Sequence, residues 1–383
     1  MGSSQITNPR GGDVQPDGPR IQSPWTARVP FRPRRWLRGG HVQTIASFLL
    51  PRRIHLPPAE ERLVEVASAG TAPAGVARAL VNRAGVTPAI VSPAIMVRCQ
   101  CYWQSERKED RAKALTAMVV HGLEGSSDSE YMTGVAEKAL AAGMNAVLMN
   151  QRNCGGMDHV APTLYNSSLS GDVAAVARHV VENDGVSQFA LIGFSMGGNL
   201  VLKLAGEWGN AGPAEFRAVA AVCPAMDLAA SADALHEPAN RIYEWYFLLQ
   251  LFRRLRRKAK FFPENFDPSR LRGVTSLRLF DDRITAHYCG FAGADDYYAR
   301  AAAANVVDRI AVPALIIHAA NDPFIRVQAE TLRRIRANPN ITYIETADGG
   351  HCAFLGQCDG TGDGTRDDGR WAERAVVEFV AGR

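Results

Sequence analysis

The sequence predicts an α/β protein whose central sheet is mostly parallel and covered by helices on both faces. From Lys113 onward, short apolar runs alternate with stretches such as 172–183 and 199–208, in which apolar residues recur every three or four positions. Continuous apolar runs are typical of parallel strands that are buried on both faces. The runs that predict strands are ALTAMVV (114–120), NAVLMN (145–150), FALIG (189–193), AVAAV (218–222), ALIIH (314–318) and ITYIE (341–345).

The segments around this alternating pattern predict the domain organisation. The runs RLVEVAS (62–68) and ARALVNR (77–83) are typical of strands and predict that the sheet opens antiparallel. The gap between Val222 and Ala314 is too long for a simple crossover, so we expect a helical cap within it. The predicted parts are a flexible tail (1–24), the first part of the α/β core (25–228), the cap (229–311) and the second part of the core (312–383).

Composition excludes several classes of protein. The chain has 383 residues, of which 46% are hydrophobic and 21% charged, and a net charge of +4, which is too small to predict nucleic-acid binding. Its seven cysteines are scattered without a C-x-x-C pair, so neither a disulfide framework nor a zinc site is predicted. No secretory signal and no apolar run of about 18 residues is readable, so we expect a cytoplasmic protein without a membrane span.

One motif predicts the chemistry. The strand FALIG continues into GFSMGG (193–198) and then into a helical pattern, which is the context of the nucleophile elbow in an α/β-hydrolase fold. Ser195 is therefore the candidate nucleophile. Gly193 and Gly197 fit this interpretation because a sharp strand-to-helix turn leaves no room for a Cβ.

The partners of Ser195 follow from chain order, which in this fold is serine, acid, histidine. Asp322 lies just past a predicted strand and is the preferred acid, while Asp227, after the strand AVAAV, is the alternative. His351 follows the last predicted strand within ADGGHCAFL and is the predicted base. His318 is embedded in a strand and is interpreted as a core residue.

A Ser-His-Asp mechanism also needs an oxyanion hole. Its two backbone donors are predicted to be Met196, which follows the nucleophile, and Leu123 in HGLEG (121–125), which follows an earlier strand. The predicted reaction is ester hydrolysis through an acyl-enzyme. It requires no metal and no organic cofactor, and its expected partner is a small-molecule ester.

Six segments occur together and in order, and together they resemble the YheT-like branch of the α/β hydrolases, which is related to membrane-associated acylglycerol lipases and phospholipases of animals. The resemblance covers about residue 31 to the C-terminus and implies the triad Ser195, Asp322 and His351 and carboxylesterase activity on short or medium acyl chains. The chain has Arg152, Asn153 and Cys154 where that family usually shows R-G-C. The segments are RGGHVQTI (38–45), HGLEG (121–125), NQRNCGG (150–156), GFSMGGNL (193–200), NDPF (321–324) and GGHCAFL (349–355).

Several alternatives remain open at this point. The same triad would serve a lipase, phospholipase, thioesterase or amidase, and a ligand-binding module could retain the same fold. The stretch 241–262 predicts a cap helix that packs Ile242, Trp245, Leu249, Phe252, Leu255 and Phe262 over the site, with peripheral lipid contact as the alternative. His41 and Cys154 are interpreted as structural, and 356–369 as a surface loop rather than a calcium site.

Overall fold

The computed structural model describes residues 25–28, 30–67, 94–358 and 368–383, and its centre is one eight-stranded sheet. The strand order is β1-β2-β4-β3-β5-β6-β7-β8. β1 pairs antiparallel with β2 and β2 with β4, whereas every later pairing is parallel. The strands are β1 (Glu60–Ala67), β2 (Ile95–Tyr102), β3 (Thr116–Val120), β4 (Asn145–Met149), β5 (Phe189–Phe194), β6 (Phe216–Val222), β7 (Ala314–Ala319) and β8 (Ile341–Thr346).

The predicted α/β class is confirmed, and so are the six strands predicted from Lys113 onward, which are β3 to β8. The antiparallel opening of the sheet is also confirmed, although the strand that pairs with β1 is Ile95–Tyr102, which the sequence pattern did not single out. The predicted tail (1–24) and the predicted strand at 77–83 lie outside the described residues.

Helices cover both faces of the sheet, and a group of them, called the cap below, lies between β6 and β7. Apolar side chains of β3 to β7 are fully buried between these layers. The helices are α1 (Gly40–Leu49), α2 (Lys108–Arg111), α3 (Glu130–Ala141), α4 (Ser170–Asp184), α5 (Met196–Trp208), α6 (Leu228–Leu235), α7 (Arg241–Phe261), α8 (Leu277–Phe280), a π-helical turn (Asp281–Ala286), α9 (His287–Cys289), α10 (Ala294–Ala301), α11 (Ala329–Ala337) and α12 (Trp371–Ala381).

The long helix α7 buries only part of the face that the apolar pattern predicts: Leu255 of the predicted set is buried, and Phe252 and Phe262 pack against the same cluster. Its buried apolar residues are Leu248, Leu251 and Leu255, which form a cluster with side chains from residues 266–284. Ile242 and Trp245, predicted on the packed face, are each 65% exposed, so this part of the prediction is wrong. The pattern is misleading because two cations of α7, described below, occupy positions on the buried face.

Candidate active site

Ser195 lies at the tight turn between β5 and α5. Its φ of 54° is in the left-handed region, which side-chain-bearing residues rarely adopt. A Cβ at Gly193 would lie 2.3 Å from the carbonyl oxygen of Gly197, and a Cβ at Gly197 would lie 2.2 Å from that of Val120. The flanking glycines are therefore required by close backbone contacts, and the turn presents the serine hydroxyl at the carboxyl end of the sheet.

The structure brings together the three side chains predicted to form a triad. Ser195 Oγ lies 3.0 Å from His351 Nε2, and His351 Nδ1 lies 2.8 Å from Asp322 Oδ2. The other carboxylate oxygen of Asp322 accepts hydrogen bonds from the amides of Phe324 and Ile325, at 3.1 and 2.9 Å. The carboxylate is fully buried, so both of its oxygens are fixed by protein donors.

Burial and charge act in opposite directions on the two ionisable members of this group. Burial lowers the pKa of His351, but the adjacent Asp322 carboxylate outweighs burial and raises that pKa to about 10. Burial likewise raises the pKa of Asp322, whereas the charge and hydrogen bond of His351 bring it below its usual value. The pair therefore favours a proton on the imidazole and a charge on the carboxylate.

The alternative acid, Asp227, has other partners. Its carboxylate accepts hydrogen bonds from the amide of Gln328 at 2.9 Å and from the hydroxyl of Thr331 at 2.8 Å. Asp227 thus ties the end of β6 to the start of α11, and Asp322 is the acid that contacts His351.

The loop that carries His351 is supported by α1, the helix formed by the GGHVQT segment. The amide of His351 donates to Thr44 Oγ1 at 2.8 Å, and the Gln43 side chain bridges Leu37 and Leu355 through three hydrogen bonds. A Cβ at Gly40 would lie 1.8 Å from the carbonyl oxygen of Asn321, next to Asp322. Sequence reasoning identified this segment as specific to the family without assigning a role to Gln43 or Thr44.

The HGLEG loop passes directly beside the nucleophile, since a Cβ at Gly122 would lie 3.1 Å from that of Ser195. The amides on either side of Leu123 are already engaged: Gly122 donates to the Tyr131 hydroxyl at 2.9 Å and Glu124 donates to the Tyr165 hydroxyl at 3.1 Å. Within the described residues, no hydrogen bond engages the amides of Leu123 and Met196. These two donors are therefore available to a ligand beside Ser195.

A buried ionic network connects the cap to the Leu123 loop. Arg254 of α7 makes a two-point contact with the carboxylate of Glu124, at 2.8 and 3.1 Å, and a third contact with Asp158 at 3.1 Å. Lys258, one turn further, donates to Asn153 Oδ1 at 2.9 Å, and burial lowers its pKa to about 7. Both cations are buried against the 153–161 loop, although the cations of an amphipathic helix are usually on its solvent side.

An apolar cavity opens beside Ser195 under the cap. Its polar lining includes Asn166, Tyr297 and Asp281, and burial raises the pKa of that aspartate to about 6. The apolar lining comes from both the core and the cap and includes Leu123, Met196, Leu228, Leu235, Phe247, Leu251, Leu277, Phe324 and Ile325. Such a lining suits a hydrocarbon chain attached to a reacting carbonyl.

The remaining predicted residues lie around this centre. His318 is 5% exposed on β7, and Cys154 is a buried thiol whose pKa is raised by burial to about 12, which agrees with a structural role for each. His41 stacks on Tyr243 of α7 and lies 3.0 Å from its hydroxyl, so it joins α1 to the cap. Of the 356–369 loop, residues 359–367 lie outside the described part of the chain.

The described residues contain candidate metal ligands but no candidate membrane span. Two groups of three metal-ligating side chains occur there, Cys223 with His351 and Cys352, and Cys223 with His318 and Asp322. In the same residues, no helix combines the length and the apolar character needed to span a bilayer.

Comparisons with known proteins agree with the geometry. A family model described as the alpha/beta hydrolase fold matches residues 118–357. YheT of Escherichia coli, provisionally named as an esterase, is 35% identical over 245 residues, which cover 62% of this chain and 70% of YheT. The phospholipase ABHD3 of Mus musculus is 28% identical over 247 residues, covering 64% of this chain and 60% of that protein.

A yeast enzyme gives a third comparison. The medium-chain fatty acid ethyl ester synthase/esterase 2 of Saccharomyces cerevisiae is 25% identical over 294 residues, covering 68% of this chain and 61% of the yeast protein. The chain thus matches about three fifths of the length of the mouse and yeast relatives.

Proposed function

Because the chain belongs to the α/β-hydrolase family, in the branch that includes YheT, we propose that it is a serine carboxylesterase. The observation that carries the proposal is the continuous hydrogen-bonded series from Ser195 through His351 to Asp322. A serine hydroxyl is a weak nucleophile at neutral pH and becomes effective when an adjacent base accepts its proton.

In the proposed mechanism, His351 Nε2 accepts the Ser195 proton as Oγ attacks the ester carbonyl carbon. The carbonyl oxygen becomes an oxyanion that accepts hydrogen bonds from the amides of Leu123 and Met196. His351 then gives its proton to the departing alkoxide, which leaves as the alcohol, and the acyl group remains on Ser195. Asp322 stabilises the imidazolium that forms in this step.

The second half of the cycle uses the same groups. A water molecule gives its proton to His351 and attacks the acyl carbon, and the second oxyanion is stabilised by the same two amides. Collapse of this intermediate breaks the bond to Ser195 Oγ, which regains a proton from His351 as the carboxylic acid departs. The cycle restores the enzyme and uses no group outside the chain and water.

The apolar cavity supports short- to medium-chain acyl esters as substrates. Fully burying one methylene group contributes about 0.8 kcal/mol, so each added carbon that fits should strengthen binding by about fourfold. The name of the yeast relative describes medium-chain fatty acid ethyl esters, which supports the same substrate class, and the name of the mouse relative describes a phospholipase, which supports ester substrates more broadly.

The direct kinetic test is a panel of p-nitrophenyl esters of increasing chain length, with acyl-CoA and anilide substrates for comparison. We expect esters to be preferred, and Ser195→Ala to lower kcat by several orders of magnitude. Ser231→Ala is the matched control because Ser231 lines the same cavity. Activity on thioesters alone would contradict the ester assignment, and activity retained by Ser195→Ala would contradict Ser195 as the nucleophile. A wild-type protein that hydrolyses no member of the panel would favour a ligand-binding role for the fold.

A second candidate function, hydrolysis of esters held in a lipid surface, is favoured by an exposed apolar patch. The patch combines α1, the residues before it and the start of α7, which His41 and Tyr243 join. Such contiguous exposure is unusual for a soluble protein and typical of an interaction surface. Its members are Trp36, Val42, Ile45, Phe48, Leu49, Ile242, Trp245 and Tyr246, which are 43% to 77% exposed.

Exposed cations on the same elements favour an anionic lipid surface. Along α7, the outward side continues from this patch to basic residues, and two arginines precede α1. Aromatic and aliphatic residues beside Lys and Arg are the pattern of helices that lie in a membrane interface. Across the ranges that the structure describes, no carboxylate lies within ion-pair distance of these cations, which are Arg35, Arg38, Arg253, Arg256 and Lys260.

Vesicle sedimentation separates this candidate from hydrolysis of dissolved esters. We expect binding to vesicles of phosphatidylcholine with phosphatidylglycerol to exceed binding to phosphatidylcholine alone, and the double variant Phe48→Ser, Leu49→Ser to lose it. Leu63→Ser is the matched control because Leu63 is 57% exposed on β1, away from the patch. An equal loss in the control, or no binding by the parent chain, would contradict the lipid-surface function and leave the esterase proposal untouched.

A further inference from the structure

Two thiols lie beside the His351 ring, and the proposed mechanism uses neither of them. Cys352 directly follows His351, and its Sγ lies 3.9 Å from His351 Nε2. Cys223 directly follows β6. The two sulfur atoms and a ring nitrogen of His351 all lie within 4.8 Å of one another.

The backbone directs both thiols to this position. Cys223 and Cys352 have φ values of 43° and 57°, in the left-handed region that is unusual for residues with a side chain. Cys352 Sγ donates to the carbonyl of Val222 at 3.5 Å, and Cys223 Sγ donates to the carbonyl of Gly350 at 3.6 Å. Each thiol therefore contacts the segment that carries the other, which holds the two sulfur atoms beside the ring.

The three side chains form a ligand set suited to a soft cation. Two thiolates and one imidazole bind zinc with about 2.3 Å to sulfur and about 2.0 Å to nitrogen, which places tetrahedral ligand atoms about 3.5 to 3.8 Å apart. The separation of 3.9 Å between Cys352 Sγ and His351 Nε2 is close to this value. Sulfur ligands select zinc or cadmium over magnesium or calcium, which prefer oxygen.

We propose that Cys223, Cys352 and His351 form a binding site for a thiophilic divalent cation such as Zn²⁺, which inhibits the enzyme by occupying His351 Nε2. Binding of Zn²⁺ converts two thiols to thiolates and takes the imidazole in its neutral form, so two protons from the thiols and one from a protonated His351 are released to solvent. Ser195 Oγ, 3.0 Å from Nε2, is positioned to approach the fourth coordination position. The inhibitory consequence rests on the proposed role of His351 as base, whereas the binding of metal does not.

The first test is a zinc inhibition series on purified wild-type protein and single thiol variants, with p-nitrophenyl ester as substrate. We expect micromolar-range sensitivity that a chelator reverses, and a rise of at least about tenfold in the half-inhibitory zinc concentration for Cys352→Ser and for Cys223→Ser. Cys358→Ser is the control because that thiol is exposed outside the site. Equal zinc sensitivity of Cys352→Ser and the wild type would overturn the proposal.

The second test needs no activity and uses Co²⁺ as the probe. Ser195→Ala protein, loaded with Co²⁺, should show a thiolate-to-cobalt charge-transfer absorption that is absent after Cys352→Ser is added to the same variant. Because Cys352 is only partly buried, its substitution tests the site even where Cys223→Ser fails to fold. A charge-transfer band in Ser195→Ala, combined with no ester hydrolysis by the wild type, would refute the esterase role alone. An active wild-type enzyme whose Ser195→Ala variant shows no band would refute the metal site alone.

Discussion

Two loops flank Ser195, and they are held by different chemistry. The loop of His351 is held by hydrogen bonds and close backbone contacts from α1, with Thr44 and Gly40 as contact points and the Gly39 amide donating to the Asp348 carboxylate at 3.0 Å, rather than by an ion pair with α1. The loop of Leu123 is fixed by a buried ion pair between its neighbour Glu124 and Arg254 of the cap. The position of His351 therefore depends on contacts with α1. The position of the Leu123 amide depends on the ion pair between Glu124 and Arg254.

This difference predicts how each loop fails. A neutral support fails when atoms overlap or a single hydrogen bond is lost, and such failures affect stability moderately. A buried ionic support fails when one partner is removed, because the other charge is left without compensation in a medium that solvates it poorly. Substitutions on the two sides should therefore separate loss of activity from loss of stability.

The largest expected loss of activity follows from a change to Asp322, the partner of His351. Asp322→Asn removes the charge that stabilises the imidazolium, and we expect kcat to fall by about 10⁴-fold. His351 must be neutral to act as base, and Asp322 raises its pKa, so activity should rise with pH through that pKa. In the pH–rate profile of Asp322→Asn, the rise in activity should therefore occur at lower pH than in the wild type. A rise at the same pH in both proteins would show that Asp322 does not raise the pKa of His351.

The second-largest expected effect tests the close contact between Gly40 of α1 and the carbonyl of Asn321. Gly40→Ala places a Cβ 1.8 Å from the Asn321 carbonyl oxygen, so the loop with Asp322 must move. Displacement of about 1 Å can cost about 10²-fold, and we expect kcat/KM to fall by that order. Gly171→Ala is the control, because a Cβ there meets no atom within 4 Å. Wild-type activity of Gly40→Ala in folded protein would contradict the role given to α1.

On the Leu123 side, Arg254→Met leaves the Glu124 carboxylate buried without its cation. We expect the free energy of unfolding to fall by about 3 to 5 kcal/mol, which denaturant titration measures. Since loss of one oxyanion donor costs about 10²- to 10³-fold, displacement of Leu123 should lower kcat by less than that. Arg253→Met, on the exposed side of the same helix, should change neither quantity. If Glu124→Gln in the Arg254→Met background restores no stability, the pair is not the support.

The smallest effect tests the hydroxyl of Thr44. Thr44→Val keeps the side-chain shape and removes both the acceptor for the His351 amide, which contributes about 1 to 1.5 kcal/mol, and a donor to the Gly40 carbonyl within α1. We expect kcat/KM to fall by about tenfold. Ser47→Ala is the control, since that hydroxyl donates only to the carbonyl of Thr44. A fall of equal size in both variants would indicate a general effect on α1.

The sequence allowed prediction of the strands and of the three side chains at their carboxyl ends. Ser195, Asp322 and His351 each follow a strand of the parallel part of the sheet, and the carboxyl ends of parallel strands meet at one edge. Their chain order is a property of the fold and needs no knowledge of packing.

The supports of the site were beyond sequence reasoning because they depend on which elements pack together. Arg254 and Lys258 look like surface cations in a one-dimensional pattern, yet they are buried by a loop about 100 residues away. Helical periodicity alone does not distinguish a face turned to the core from one turned to solvent, which is why Ile242 and Trp245 were placed on the wrong side.

Labelling with a fluorophosphonate, followed by peptide mass spectrometry, tests the account most directly. The reagent bonds to a serine hydroxyl that an adjacent base activates. We expect one adduct per chain, on the peptide that contains Ser195, and none in His351→Ala protein that remains folded. Folded wild-type protein that carries no adduct, or carries it on another serine, would contradict the assignment of Ser195 as nucleophile.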